Sequence, residues 1–239
     1  MTAPLAAGVT NERRVLPWKV LDTAKVPGGR EELRLKQRGA EFVIMLGKQE
    51  LMSNRLSATE EALATFGCDT IRTRAKPRVL IGGLGMGFTL RAALKILGDK
   101  ADIVVAELVP AVVDWARGPM AKLFGDSLTD ARVTIHETDV GELIRAKASA
   151  YDAILLDVDN GPEGLTRVAN DALYDAKGLA AAHRALRPGG VLAVWSSAPD
   201  PKFTARLKKA SFAVKEIPMR AKGSPGTVRH FVWTATKGQ

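Results

Sequence analysis

Between Trp18 and Ser53 apolar and polar positions alternate: Leu33 and Leu35 lead to Gln37, and past an Arg38-Gly39 turn Phe42, Ile44 and Leu46 continue the pattern. A period of two marks half-buried strands, so this stretch reads as an antiparallel β meander, with Gly47-Lys48 turning into a short strand over 50–52. Ser57-Ala58-Thr59-Glu60 has the spacing of a capping box, in which the serine takes an orphan N–H and Glu60 reaches back, ahead of a helix over 58–66. Residues 72–76, with Pro77, read as a linker. From Arg78 the pattern changes to short unbroken apolar runs that alternate with helical spacing. Strands are expected at 79–81, 102–106, 132–136, 151–156, 191–195, 212–217 and 228–234, and helices at 88–97, 110–117, 142–147, 171–186 and 202–209. Pro110 suits a first helical turn, and Arg187-Pro188-Gly189-Gly190 terminates the long helix. Strands apolar on both faces belong in a parallel sheet covered by helices. No helix separates the final pair, so the last strand is expected to insert antiparallel. The chain reads as an α/β protein, with a meander and capped helix over 1–76 and the main domain over 77–239.

Val79-Leu80-Ile81-Gly82-Gly83-Leu84-Gly85-Met86-Gly87 carries the chemistry of that domain. A buried strand breaks into a glycine turn just before a helix, where backbone can approach a ligand closely and helix N–H groups can meet its polar end. The next strand ends in Glu107, a natural partner for a ribose diol, so the unit describes a nucleotide-type pocket. Gly83, Gly85 and Gly87 are spaced G-x-G-x-G, and Phe88 stands where a dinucleotide site needs its third glycine. That spacing favours a compact tail such as that of S-adenosylmethionine.

Composition narrows the setting without naming a reaction. At 239 residues, 46% hydrophobic and 26% charged, the chain has the make-up of a globular protein with a sizeable core. Cys68 is the one cysteine, permits no internal disulfide, and reads as a buried apolar residue. Met1 to Thr10 resembles neither a signal peptide nor a membrane span, so a cytoplasmic location is expected. The formal net charge of +9 is scattered over many short basic clusters without interleaved aromatics, which favours a solvated surface over a nucleic-acid face.

The parallel sheet with an antiparallel last strand and G-x-G-x-G in the first turn resembles the Rossmann-like, seven-stranded class I S-adenosylmethionine-dependent methyltransferase fold. Within it, the meander, Val79-Leu80-Ile81-Gly82-Gly83, Ala106-Glu107, Thr138-Asp139, Tyr151 to Asp157, Gly161-Pro162 and Leu186 to Gly190 are similar to the spermidine synthase family. The resemblance implies that Gly83, Gly85 and Gly87 line the methionine side of the cofactor, S-adenosylmethionine or its decarboxylated form. It implies that Glu107 holds the ribose, that Thr138-Asp139 meets the adenine, and that Asp157 is the base that strips a proton from an attacking amine. The chain departs from the family at three places: Gly85 replaces an aspartate of the glycine loop, Asp157-Val158-Asp159-Asn160-Gly161 is one residue shorter than the family segment, and Leu56 to Glu61 lacks a polyamine-gripping tyrosine.

Candidate catalytic residues are therefore Asp157 and Asp159, and candidate substrate residues are Asn160, Trp195 and Ser196, each with a plain alternative. An aspartate can cap a loop, Asn160-Gly161 can be a simple turn, and Trp195 can belong to the core. Glu60 and Glu61 overhang this region, but the capping box accounts for Glu60. Asp157-Val158-Asp159 is also similar to the metal-binding edge of catechol-type O-methyltransferases. Trp195-Ser196-Ser197 replaces the expected Asp-Asn after the next strand, and no metal is expected. His136, His183 and His230 show no ligand spacing and read as structural. With carboxylates absent from two family segments, methyl transfer to a small-molecule nucleophile ranks first and aminopropyl transfer second. A non-catalytic or RNA-associated nucleotide-binding protein ranks third. The expected partner is a small-molecule acceptor; a homodimer stays open, and nucleic acid and membrane are disfavoured.

Overall fold

The computed structural model describes residues 16–29, 31–55, 57–158, 172–220 and 229–239. The meander forms as strands β1 (Lys19–Lys25), β2 (Glu32–Arg38), β3 (Glu41–Leu46) and β4 (Gln49–Ser53), antiparallel in that order. Leu33 pairs with Leu46 and Leu35 with Ile44, so alternation sets one face of this sheet inward. Helix α1 (Ala58–Cys68) follows, two residues longer than the spacing suggested.

The capping box is not made. Ser57 forms no side-chain cap; its hydroxyl donates to Glu61 Oε1 at 2.8 Å, and Glu60 is free to turn elsewhere. Cys68 is fully buried, and burial pushes its thiol up to about 12.

The second sheet is built from β5 (Arg78–Gly82), β6 (Asp102–Glu107), β7 (Val133–Glu137), β8 (Tyr151–Leu156), β9 (Leu186–Ser196), β10 (Phe212–Arg220) and β11 (Arg229–Lys237). Its order is β10-β11-β9-β8-β5-β6-β7, and β11 runs antiparallel to both neighbours. Between the strands lie α2 (Phe88–Ile96), α3 (Pro110–Arg117), α4 (Ala121–Phe124), a 3-10 turn (Gly125–Leu128), α5 (Val140–Arg145), α6 (Ala176–Ala185) and α7 (Pro201–Lys209). One helix starts early and another is divided, each at a capping aspartate: residues 172–174 are helical and a bend at Asp175 separates them from α6. Asp139 accepts from Gly141 N and starts α5 at Val140, while Asp175 accepts from Gly178 N and starts α6 at Ala176. The Pro-Gly-Gly segment after α6 lies inside β9 rather than ahead of it.

The central strands are apolar throughout because each face has its own core. Val79, Ile81, Ile103, Val105, Ala153 and Leu155 pack on one side with the meander. Leu80, Val104, Ala106, Ile154 and Leu156 pack on the other. No helix among the described residues is long and apolar enough to cross a membrane.

Candidate active site

A cavity of about 210 Å³ opens where β5, β6, β7, β8 and β9 end, with the meander as its opposite wall. β5 lies between β6 and β8, so chain connections leave it in both directions and part the backbone there, the usual ligand position in open α/β sheets. Gly83, Gly85, Glu107, Thr138, Asp139, Asp157 and Trp195 all line this one cavity. Gly87 and Ser196 do not: Gly87 lies against Phe124, and the Ser196 hydroxyl donates to Ala198 O at 2.9 Å. Asp159 and Asn160, with Gly161-Pro162, lie outside the described residues.

Gly83 is required by close approach. With φ of +86°, a Cβ there would sit 2.7 Å from Asp157 O, so the turn after β5 and the end of β8 leave no room for a side chain. The loop amides are occupied rather than presented to a ligand. Gly83 N donates to Ala106 O at 2.9 Å, Leu84 N to Glu107 Oε2 at 2.8 Å, Met86 N to Met52 Sδ at 3.1 Å and Gly87 N to Leu84 O at 2.8 Å. The Gly85 amide also supports Glu107. Gly85 faces Met52, whose Sδ and methyl lie 2.9 and 2.8 Å from the position a Cβ would take.

Glu107 is buried and accepts from Leu84 N and, through Oε1, from Val109 N at 2.9 Å. Burial pushes its carboxyl up, and these amides draw it back. Glu107 thereby braces the glycine turn from the end of β6, and its carboxylate is an acceptor at the cavity wall. Asp139 similarly spends Oδ1 on Gly141 N at 2.6 Å, and Thr138 donates to Glu142 Oε2 at 2.7 Å.

At the end of β8, Asp157 Oδ2 accepts from Thr89 Oγ1 at 2.7 Å. The Asp157 carboxyl is pushed up to about 7, first by burial and then by the charge of Glu60, with the Thr89 bond opposing. Glu60, which also lines the cavity, is itself raised by burial. Trp195 is buried, walls the cavity, and stacks edge-on with His230 at 4.9 Å between ring centroids.

Sequence reasoning missed Glu31, Met52 and Thr89. Thr89 leaves a signal, a lone hydroxyl on the apolar face of α2 directly after the glycine turn; Glu31 and Met52 reach the cavity from the folded-over meander. No group of three or more His, Cys, Asp or Glu suited to a metal occurs among the described residues.

The strand order, the antiparallel β11 and the cavity at the β5 turn define a class I S-adenosylmethionine-dependent methyltransferase-like fold. Residues 57–209 match the family model described as Spermine/spermidine synthase domain, and the chain belongs to that family. A polyamine aminopropyltransferase of Mycobacterium tuberculosis (strain H37Rv) is 29% identical over 196 residues, covering 77% of this chain and 35% of that protein. Polyamine aminopropyltransferase 1 of Streptomyces coelicolor is 32% identical over 124 residues, covering 51% of this chain and 22% of that protein. The chain thus spans about a third or less of the length of these relatives. Among solved structures, spermidine synthase from Thermotoga maritima superimposes with a TM-score of 0.70 at 20% identity, over 92% of this chain and 73% of that one. A spermidine synthase in complex with the transition state analogue AdoDATO gives the same TM-score of 0.70, over 92% of this chain and 72% of that one.

Proposed function

We propose that the chain transfers the aminopropyl group of decarboxylated S-adenosylmethionine to a small-molecule amine, with Asp157 as the base. The observation that carries this reading is the charge of the cavity. Among the described residues its ionisable lining is Glu31, Glu60, Glu107, Asp139 and Asp157, with no Lys, Arg or His, in a chain of net charge +9. Intact S-adenosylmethionine would bring a tail carboxylate into this corner, where among the described residues neither a cationic side chain nor a free amide of the glycine turn waits for it. The decarboxylated donor brings only cationic groups. The relatives' description as polyamine aminopropyltransferases supports the same choice. Methyl transfer, favoured by the sequence because two family segments had lost carboxylates, loses that ground, since Glu31 lines the cavity from the meander and Glu60 lines it from within the 56–61 segment itself.

Bound at this site, the donor would supply an electrophilic carbon beside a sulfonium leaving group. Glu107 would accept from the ribose hydroxyls, Asp139 from the adenine amino group, and Gly83 and Gly85 would run beneath the tail. An ammonium has no lone pair, so the acceptor must first lose a proton, and a carboxyl poised near neutrality suits that task. The amine nitrogen then bonds to carbon, the carbon–sulfur bond breaks with its electrons on sulfur, and Asp157 keeps the proton. Trp195 would wall the acceptor.

Methyl transfer remains the second reading for one feature: Gly85 stands where the resemblance to the family leads one to expect an aspartate, and Met52 fills the space beside it. Incubation with a short aliphatic diamine and each donor in turn, followed by mass spectrometry, separates the two. Aminopropyl adducts with methylthioadenosine release are expected; methylated product with S-adenosylhomocysteine release overturns the assignment.

A further inference from the structure

We propose that Glu60 is the anion that anchors the donor's terminal ammonium, replacing the aspartate missing from the glycine turn and so selecting the decarboxylated donor. The inference rests on the aminopropyl reading above. The glycine turn itself has no anion to offer. An aspartate at Gly85 would place its Cβ within 2.9 Å of the Met52 sulfur, at a φ of +48°. Glu60 stands beside that turn: the Thr89 hydroxyl, 3% exposed, lies 3.2 Å from the Glu60 backbone carbonyl and 2.7 Å from Asp157 Oδ2, and the charge of the Glu60 carboxylate acts on Asp157. Glu60 and Asp157 both line the one cavity, and no Lys or Arg bridges to either carboxylate among the described residues. A ligand's cation is the missing neutraliser.

The Glu60 carboxylate is also oriented from behind. Thr59 Oγ1 donates to Glu60 Oε2 at 2.7 Å, which uses the only proton that hydroxyl has. His230 Nδ1, 3.0 Å from the same Oγ1, must then be the donor, so one tautomer is fixed. His230 in turn is braced by Trp195, whose buried indole N–H has no partner among the described residues although the ring lines the cavity. The supported Glu60 carboxylate is thus the acceptor this corner offers to an ammonium, while the indole N–H, itself a donor, can serve only an acceptor atom elsewhere on a ligand. Glu61, one residue on, is excluded from this role because Ser57 holds it at 2.8 Å.

Calorimetric titration of wild type and Glu60→Gln with three compounds tests the assignment: decarboxylated S-adenosylmethionine, intact S-adenosylmethionine, and methylthioadenosine, which lacks the ammonium. Loss of a charge-assisted contact predicts roughly ten- to a hundred-fold weaker binding of the decarboxylated donor to Glu60→Gln. Methylthioadenosine should bind both proteins within about two-fold, since it never meets that carboxylate. Unchanged affinity for the decarboxylated donor, or an equal loss for it and methylthioadenosine, overturns the role of Glu60 and leaves aminopropyl transfer standing. Tighter binding of intact than of decarboxylated donor by the wild type removes the aminopropyl reading itself, and this inference with it.

Discussion

Asp157 keeps its proton to about pH 7 because burial and the neighbouring Glu60 charge both disfavour the ionised form. If Asp157 is the proposed base it must be ionised to act, so kcat at saturating donor should fall as pH drops below about 7. Glu60→Gln removes one of the two raising causes, and the same limb should move to lower pH; a limb that stays in place would separate the pair electrostatically. Stability runs with the opposite sign. The folded state holds this proton up to about 7 whereas the ordinary value is 3.8. Asp157 therefore contributes fully below 3.8, and that contribution is lost as pH rises through about 7. Asp157→Asn, which never ionises, should match wild type in urea unfolding near pH 4 and exceed it near pH 8, while losing turnover. Greater stability of the wild type at pH 8 would contradict this sign. Such a trade between stability and chemistry is expected where a carboxylate is buried for use.

At the scale of elements, one side chain joins three strand beginnings. Asp152, 1% exposed on β8, accepts from Arg78 N at the start of β5 at 2.6 Å and from Arg187 Nη1 on β9 at 2.7 Å. It also accepts from Arg74. The stretch over 72–76 reads from sequence as a mere linker, yet its Arg74 is pinned to this carboxylate and to Pro188 O at 2.8 Å. Asp152→Ala leaves two guanidinium groups and a backbone N–H without their acceptor. The arginines retain some solvent, so the loss in chemical denaturation should be about 3 kcal/mol, the lower end for breaking a buried pair. A loss under about 1 kcal/mol would show that water replaces the carboxylate freely. The same contrast explains what was legible in the sequence. Strand cores, the glycine turn and the acids at strand ends follow from local spacing, because period and turn chemistry act over a few residues. Glu60 did not follow, since Ser57 faces both Glu60 and Glu61 within one helical turn and only the packing of α1 against α2 decides between them. Glu31 and Met52 enter the cavity from strands far away in the chain, a placement no local pattern encodes.

Across the whole molecule, the meander and the main sheet share one core. Leu33, Leu35, Ile44 and Leu46 belong to the same buried cluster as Val79, Ile81, Val105 and Trp195. Asp22 of β1 accepts from Trp115 Nε1 of α3 at 2.7 Å, a further tie between the two sheets. The cavity inherits this arrangement: Leu33, Ile44 and Leu46 face Gly83, Glu107 and Asp157 across it. A ligand held there contacts both units, and neither can unfold without exposing apolar surface of the other. Thermal unfolding should therefore be one transition, with far-ultraviolet dichroism and tryptophan fluorescence coinciding. Methylthioadenosine at a hundred times its Kd should stabilise both signals equally, by about 2.7 kcal/mol. Leu35→Ala, at a fully buried meander position outside the cavity lining, should lower the stability of that single transition by about 2–5 kcal/mol. Because the meander forms one cavity wall, its loss as a separate low-temperature step would leave half the ligand contacts unmade. Two resolved transitions, with the ligand raising only the later one, would mean that the main sheet binds alone and that the meander is a cover rather than a wall.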